Sequence, residues 1–392
     1  MDPVIAPSER AEHYFGRAKI TASCETVEMK LPQIDTTPIE GLVTELWDRG
    51  GTDIHISADM PPMFRIDGDL YPVEGHAAYL PEDIERMVDA MLPEELKETF
   101  LAHRQVDFSF SWKERTRFRG NVYRQQGAAS IALRAIPRAI PTMQDLLLPP
   151  VLGQLCSRKQ GLILMTGPTG SGKSTTLASL IDIVNRTRQC HIITIEDPVE
   201  FVHRPKVALV NQREVGEDTS GFGRALTQAM RQDPDVILVG EMRDLDTIST
   251  AITAAETGHL VFGTLHTQDA AQTVDRIIDV FPGEQQGQVR IQLANSLVGV
   301  STQQLVPTAD GRSRAVACEI MMANTAIRSL IRDGKVHQIH NAMASGKRQG
   351  MQSMDDSLAD LVRRGVVTHE QALRRAQNPD DLARMVGLQP KG

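Results

Sequence analysis

A chain of 392 residues exceeds what one hydrophobic core ordinarily organises, so two compact domains are expected. Hydrophobic residues at 41% and charged residues at 23% exclude bulk disorder and fibrous architecture, and a formal net charge of −8 argues against wholesale binding to nucleic acid. Cys24, Cys156, Cys190 and Cys318 are scattered without a C-x-x-C pair, which indicates neither a zinc site nor a disulfide framework and fits reduced, cytosolic thiols. The amino terminus lacks the basic start and apolar core of a signal peptide, and no apolar run approaches a membrane span, so a cytoplasmic chain without direct membrane insertion is expected.

Residues 1–38 carry Pro3, Pro7, Pro32 and Pro38 and no sustained period, and read as a flexible arm. From Gly41 a short helix runs through Trp47, and Thr52–Ser57 alternates as a strand. Met63–Leu70 then reads as a hairpin around Asp67-Gly68. Helices are expected over Pro81–Met91 and Glu94–Leu101, and strands over Asp107–Trp112, Arg117–Tyr123 and Ser130–Ile136, which makes residues 39–136 a small α+β domain. The prolines of 137–150 make a connector, the usual sign of a domain boundary. Beyond it, strand-like runs at 162–166, 191–195, 235–239 and 260–265 alternate with helical segments, the pattern of a parallel sheet covered on both faces, over a core of 151–305. The remainder, 306–376 before a tail of 377–392, is expected to be mostly helical. Helix-period apolar positions occur over Glu284–Gln304, Ala326–Arg332, Val336–Ala344 and Met354–Arg363.

The first strand of the core runs into Gly167-Pro168-Thr169-Gly170-Ser171-Gly172-Lys173-Ser174, the phosphate-cradling pattern G-x-x-x-x-G-K-[ST], followed by Thr175 and a helix over Lys173–Thr187. Glycines let backbone N–H groups turn toward phosphate oxygens, the helix presents its positive end, Lys173 reaches the β/γ-phosphates and Ser174 the Mg²⁺. A nucleoside triphosphate is the expected ligand. Hydrolysis further needs a group that activates water, and Glu241 stands where the run Asp235–Val239 reaches its carboxyl end, the edge of open α/β sheets at which ligands bind. Gly240 occupies the preceding position, where many such enzymes place a metal-binding Asp, leaving metal contact to water. Glu196 and Asp197 end the strand His191–Ile195 in the same way, as candidates for the site or as a helix cap or surface ion pair. His259 and His266 bracket Leu260–Leu265 at a spacing unlike that of metal ligands; taken alone they read as hydrogen-bonded structural residues.

Four strings, Gly167–Thr175, Thr194–Glu200, Asp233–Asp244 and Thr257–Thr267, resemble in order the Walker A, Asp box, Walker B and His box of the secretion ATPase superfamily. Within it the chain is similar to the pilus retraction (twitching motility) ATPases. The start of their amino-terminal domain is echoed by Thr52–Ile56 and Pro61–Gly68, a further shared string is Arg276–Pro282, and their carboxy-terminal retraction motif A-I-R-N-L-I-R-E is nearly matched by Ala326–Asp333. Extension ATPases usually carry four metal-binding cysteines, which this sequence lacks. The resemblance covers roughly residues 40–375.

It implies a RecA-like P-loop ATPase domain with a parallel sheet, preceded by a smaller α+β, PAS-like domain and followed by a helical carboxy-terminal region. It also implies a homohexamer that hydrolyses ATP with Mg²⁺ at the cytoplasmic face of the pilus machinery. There it would meet an inner-membrane platform protein and a paralogous pilus ATPase, with no nucleic-acid partner. By matching positions, Lys173 and Ser174 bind phosphates and Mg²⁺, Glu196 belongs to the metal environment and Glu241 is catalytic. His259 and His266 couple the γ-phosphate to movement, which reverses the reading of the histidines taken alone. Arg104, Arg117, Arg119, Arg124 and Arg231 are candidate arginine contacts. Thr227 stands where the family commonly has an additional Arg, and Ser329 and Asp333 replace Asn and Glu of the retraction motif. The alternatives are a pilus assembly or type II secretion ATPase and a nucleotide-binding regulatory paralogue in a mixed motor.

Overall fold

The computed structural model describes residues 34–387 apart from 67, 114, 137, 138 and 312. The expected arm up to residue 33 lies outside the described residues, as do Asp67 of the hairpin tip, Pro137 and Arg138 of the connector and residues 388–392 of the tail. The chain divides into two units: the first ends its main segment at Trp112 and takes up Phe118–Ala135, and the second comprises Lys113–Arg117 and the chain from Ile136.

In the first unit, α1 (Glu40–Asp48) leads into the hairpin strands β1 (Asp53–Ile56), β2 (Met63–Ile66) and β3 (Asp69–Pro72). Next come α2 (Pro81–Met91), with Pro81 in its first turn, and α3 (Glu94–His103), which ends where Arg104 takes a left-handed φ of +64°. Strands β4 (Gln105–Trp112), β5 (Thr116–Gln125) and β6 (Ala128–Ile136) complete a sheet ordered β3-β2-β1-β6-β5-β4. The alternation seen in the sequence has a direct cause: Val106, Phe108, Phe110 and Trp112 are buried while Asp107 and Ser111 between them are not, or are less so. Leu42, Val43 and Leu46 of α1 and Ile84 and Val88 of α2 share their core with Ile54, Phe64, Phe118 and Leu133 of the sheet.

The second unit begins with α4 (Pro150–Leu155) and builds a seven-stranded sheet in the order β13-β12-β7-β11-β10-β8-β9. Its members are β7 (Gly161–Thr166), β8 (His191–Glu196), β9 (Leu209–Glu214), β10 (Val236–Val239), β11 (Leu260–Leu265), β12 (Leu297–Pro307) and β13 (Arg314–Met322). All neighbours run parallel except β12 and β13, which pair antiparallel. On one face lie α6 (Phe222–Ala229), α7 (Leu245–Glu256), α8 (Ala270–Asp279), α9 (Gly283–Ser296), α10 (Thr325–Arg332) and α11 (Ile339–Ser345). The other face is covered by α4 and by α5 (Lys173–Thr187), whose Leu177, Leu180, Ile181 and Val184 meet Ile163, Met165 and Phe262. Every residue of β7, β10 and β11 is buried, as expected for strands covered on both sides. The last helices, α12 (Met354–Arg363), α13 (His369–Leu373) and α14 (Pro379–Met385), share a separate core with Val306, Ala315 and Ala317 of β12 and β13.

The helix expected over Glu284–Gln304 stops at Ser296, and Leu297 turns extended (ψ 128°) to begin β12. Leu297-Val298-Gly299-Val300-Ser301-Thr302 is rich in β-branched residues, and a short apolar run satisfies helical and strand periods alike, so periodicity alone misplaces the boundary. The strand also carries the chain past residue 305, so that the mostly helical region beyond it begins with a hairpin joined to the seven-stranded sheet.

Candidate nucleotide-binding and catalytic site

In a parallel sheet the side chains that follow each strand meet at one edge. Here the carboxyl ends of adjacent β7, β11, β10 and β8 deliver the phosphate-loop sequence, His266, Glu241 and Glu196. Between Thr166 and α5 the chain turns with φ of +134° at Gly167, +77° at Gly170 and +87° at Gly172, values that side chains resist. Space is short at Gly167 as well: a Cβ there would stand 2.4 Å from the Gln303 carbonyl oxygen and 2.8 Å from Ser171 Oγ. Gly167→Ala is therefore expected to displace the loop and weaken binding of a fluorescent ATP analogue by about tenfold or more. Unchanged affinity in that titration would show that the entry to the loop does not shape the cradle.

Lys173 Nζ folds back onto the carbonyls of Gly167 (2.8 Å) and Pro168 (3.1 Å). Burial pulls its pKa down, against the nearby carboxylates Glu241 and Glu200, which pull it up. Ser171 Oγ is buried with no hydrogen-bond partner, and Ser174 and Thr175 sit half-buried in the first turn of α5. Pro168 and Thr169 complete the loop. Turned glycines, an orphan hydroxyl, a helix amino terminus and a desolvated ammonium fit a chain of phosphates.

Glu241 is held on both sides. Gly240 N–H donates to Ile195 O (2.7 Å), Thr264 Oγ1 donates to Gly240 O (2.5 Å), and Met242 N–H donates to Thr264 O (3.0 Å). A Cβ at Gly240 would lie 3.0 Å from Ile195 O and 3.1 Å from Glu196 Cα, so the close approach of β8 explains why no Asp occupies the position. The Glu241 carboxylate meets His266 Nε2 at 2.9 Å and accepts from Arg243 Nε. Burial pushes its pKa up, but Arg243 and His266 outweigh burial and hold the carboxyl below its usual value. Such a group is ionised and only partly exposed, able to orient water and accept its proton. Glu196 differs: burial raises its pKa, opposed by hydrogen bonds from Thr194 Oγ1 (2.6 Å) and Gln212 Nε2 (3.1 Å).

His266 joins this group and His259 does not. His259 stands at the amino end of β11, where its carbonyl accepts from Gly161 N–H at the start of β7 and its Nδ1 lies 2.9 Å from Ala254 O. The six-residue strand separates the two histidines by roughly 20 Å at ~3.3 Å per residue. Within one chain His259 therefore stands at the edge of the sheet opposite the phosphate loop, and only His266 shares the edge that carries Glu241. Its sequence position flanked the same strand as His266, and strand direction alone sends them to opposite edges. Glu200 was not singled out from the sequence, yet its charge reaches Lys173 and Glu196; it lies in the same acidic string as Glu196.

Arg124 pairs with Glu85 (Nη2 to Oε2 3.2 Å) and lies 4.9 Å over the Phe100 ring, an arrangement internal to the first unit. Arg117, which groups with the second unit, meets Glu214 at 3.3 Å. Arg104, Arg119 and Arg231 have exposed side chains. Thr227 Oγ1 bonds Gly223 O (2.9 Å) within α6, so the residue in the place of the additional Arg serves its own helix.

Residues 32–388 match the family described as Type II/IV secretion system protein. The chain belongs to that family. It is 46% identical over 338 residues to the type IV pilus retraction ATPase PilT of Pseudomonas aeruginosa, a match spanning 85% of this chain and 96% of the relative. The type IV pilus ATPase PilU of the same organism is 38% identical over 349 residues, spanning 89% and 91%. A crystal structure of the pilus retraction motor PilT with bound ADP superposes with a TM-score of 0.82 at 48% identity, covering 88% of this chain and 98% of the other. Against this secretion ATPase frame the segment Ala326–Asp333 acquires a structural meaning. It forms α10 with Ile327 and Ile331 buried, and Arg328 donates to the carbonyls of Ala323 (2.8 Å), Ala294, Asn295 (2.7 Å) and Leu297 (2.8 Å), closing the carboxyl end of α9 where it turns into β12.

Proposed function

We propose that the chain is the ATP-hydrolysing motor of pilus retraction. The observation that carries the reading is Glu241, ionised and held between His266 and Arg243 beside the phosphate loop. Identity of 46% to a retraction ATPase supports the direction of work. Six copies would form a ring, with Arg104, Arg119 and Arg231 exposed and able to reach a neighbouring copy's nucleotide. The ring would act on a membrane platform protein from the cytoplasm; among the described residues no helix is long and apolar enough to cross a membrane.

Lys173 exchanges its carbonyl contacts for the phosphates, and Glu241 takes a proton from water as the water oxygen bonds the γ-phosphorus and the bridging bond to ADP breaks. Ser174, with Glu196 through water, would hold a Mg²⁺ ion, which supplies charge neutralisation on the phosphate oxygens. His266 orients Glu241. Deleting the gene tests the direction: cells densely piliated but without surface motility are the expected result, whereas bald cells would identify an assembly or secretion ATPase. Purified protein that binds ATP without hydrolysing it would instead mark a regulatory paralogue.

A further inference from the structure

Three residues stand in one row across three strands of the second unit. Strand β12 pairs Thr302 with Thr166 of β7 on one side and with Glu319 of β13 on the other. All three side chains are fully buried, and the Thr166 and Thr302 hydroxyls are hydrogen-bonded at 2.8 Å. Directly paired residues share a face of the sheet, so the row is a polar line on one side of the core. Thr166 is the last residue before the phosphate loop.

At the other end of the row Glu319 reaches a different element. Its Oε1 accepts from the backbone N–H of Ala270 (2.7 Å), the first residue of α8. The short segment that joins His266 to this helix is otherwise held by bonds of its own, Asp269 capping Gln272 N–H (2.7 Å) and Thr267 Oγ1 meeting Thr273 Oγ1 (2.6 Å), and by the longer approach of His340 Nε2 to Asp269 Oδ1 (4.0 Å). Glu319 is the carboxylate that fixes it to the sheet. Its second oxygen, Oε2, is buried without a partner at full hydrogen-bond geometry; the Gln377 side chain is the polar group that approaches the carboxylate, and the charged groups near it are His340 and Asp269. A buried glutamate half-satisfied in this way is a poor choice for stability, since an apolar side chain of similar volume would avoid its desolvation.

We propose that Glu319 is a positioning residue for ATP hydrolysis: its bond to Ala270 sets the path of the chain leaving His266, and the row Thr302–Thr166 refers that path to the strand entering the phosphate loop. The inference rests on the ATPase reading above. Losing the bond frees the His266 segment and so the partner that holds Glu241, while the loop around Lys173 keeps its own contacts.

Glu319→Met keeps the volume and removes the acceptor. Expected are a turnover about tenfold below wild type, in line with the sensitivity of hydrolysis to misplaced catalytic groups, and an ATP KM within about twofold. The melting temperature should be unchanged or higher, and backbone amide exchange over residues 267–273 faster. Glu319→Gln, whose amide oxygen still accepts from Ala270, should restore both turnover and slow exchange. Ala270→Pro removes the donor at a helix position where proline is tolerated, and should reproduce the Met variant even if that variant folds poorly. Wild-type turnover in the Met and Pro variants, or a Gln variant as impaired as Met, overturns the proposal. If the wild-type chain does not hydrolyse ATP, the motor reading fails separately, and the exchange measurement still decides: unchanged exchange in the Met and Pro variants removes Glu319 from this role.

Discussion

Glu241→Gln is expected to lower ATP turnover by roughly 10²-fold or more while leaving nucleotide affinity near that of the wild type. The amide keeps the shape and the contact with Arg243 but cannot take a proton from water, and the loop that grips phosphate is not touched. Affinity should be measured with a slowly hydrolysed analogue beside steady-state turnover; a parallel loss of both would mean that Glu241 contributes to binding and not to chemistry. The pH profile adds an independent check. Arg243 and His266 keep the carboxyl below its usual 4.5, so the base stays ionised as pH falls toward that value, and the acid limb of kcat/KM should lie below it. The same sign governs stability: the pairing contributes above pH 4.5 and is lost as pH falls through the depressed folded-state value. His266→Ala removes one of the two opposing partners and should shift the acid limb upward.

Arg328→Ala is expected to destabilise the second unit by about 2–4 kcal/mol, because charge-assisted hydrogen bonds are worth more than neutral ones and four carbonyls lose their donor together. Carboxyl-terminal carbonyls of a helix have no partners within it, and Arg328 supplies them from a different helix. Lysine should recover only part of the loss, since a compact ammonium cannot span carbonyls spread over Ala294 to Leu297. Urea unfolding of the three proteins reads the difference directly. Should Arg328→Ala unfold at the wild-type midpoint, the bonds are replaceable by water and the motif must be explained through a partner. Arg332, exposed on the same helix, is the contrasting substitution: its removal should leave stability within about 0.5 kcal/mol.

Much of this was legible before any coordinates. The phosphate loop, Glu241 and Glu196 announce themselves because strand, turn and acidic residue are contiguous in sequence, and the fold class follows from the alternation of strands and helices. What escaped is what depends on non-adjacent chain. His259 and His266 look equivalent as flanks of one strand, and only the parallel pairing of β11 with β7 shows which faces the phosphates. Leu297–Thr302 satisfies a helix pattern and becomes a strand because β7 and β13 offer it partners on both sides. Among the arginines, the pairing of Arg124 with Glu85, 39 residues away in sequence, is likewise a contact that no local pattern announces.

Strand β12 spans its sheet from the Arg328 cap at one end to the Gln303 carbonyl that crowds Gly167 near the other. It is a strut of fixed length. Removing or adding one residue within it would exchange the faces of Thr302 and Gln303, sending one toward α5 and the other toward α8. Length changes should therefore be confined to the exposed turn at Ala309 and Gly311, which makes that turn the place to insert a fluorophore or affinity tag without disturbing either end.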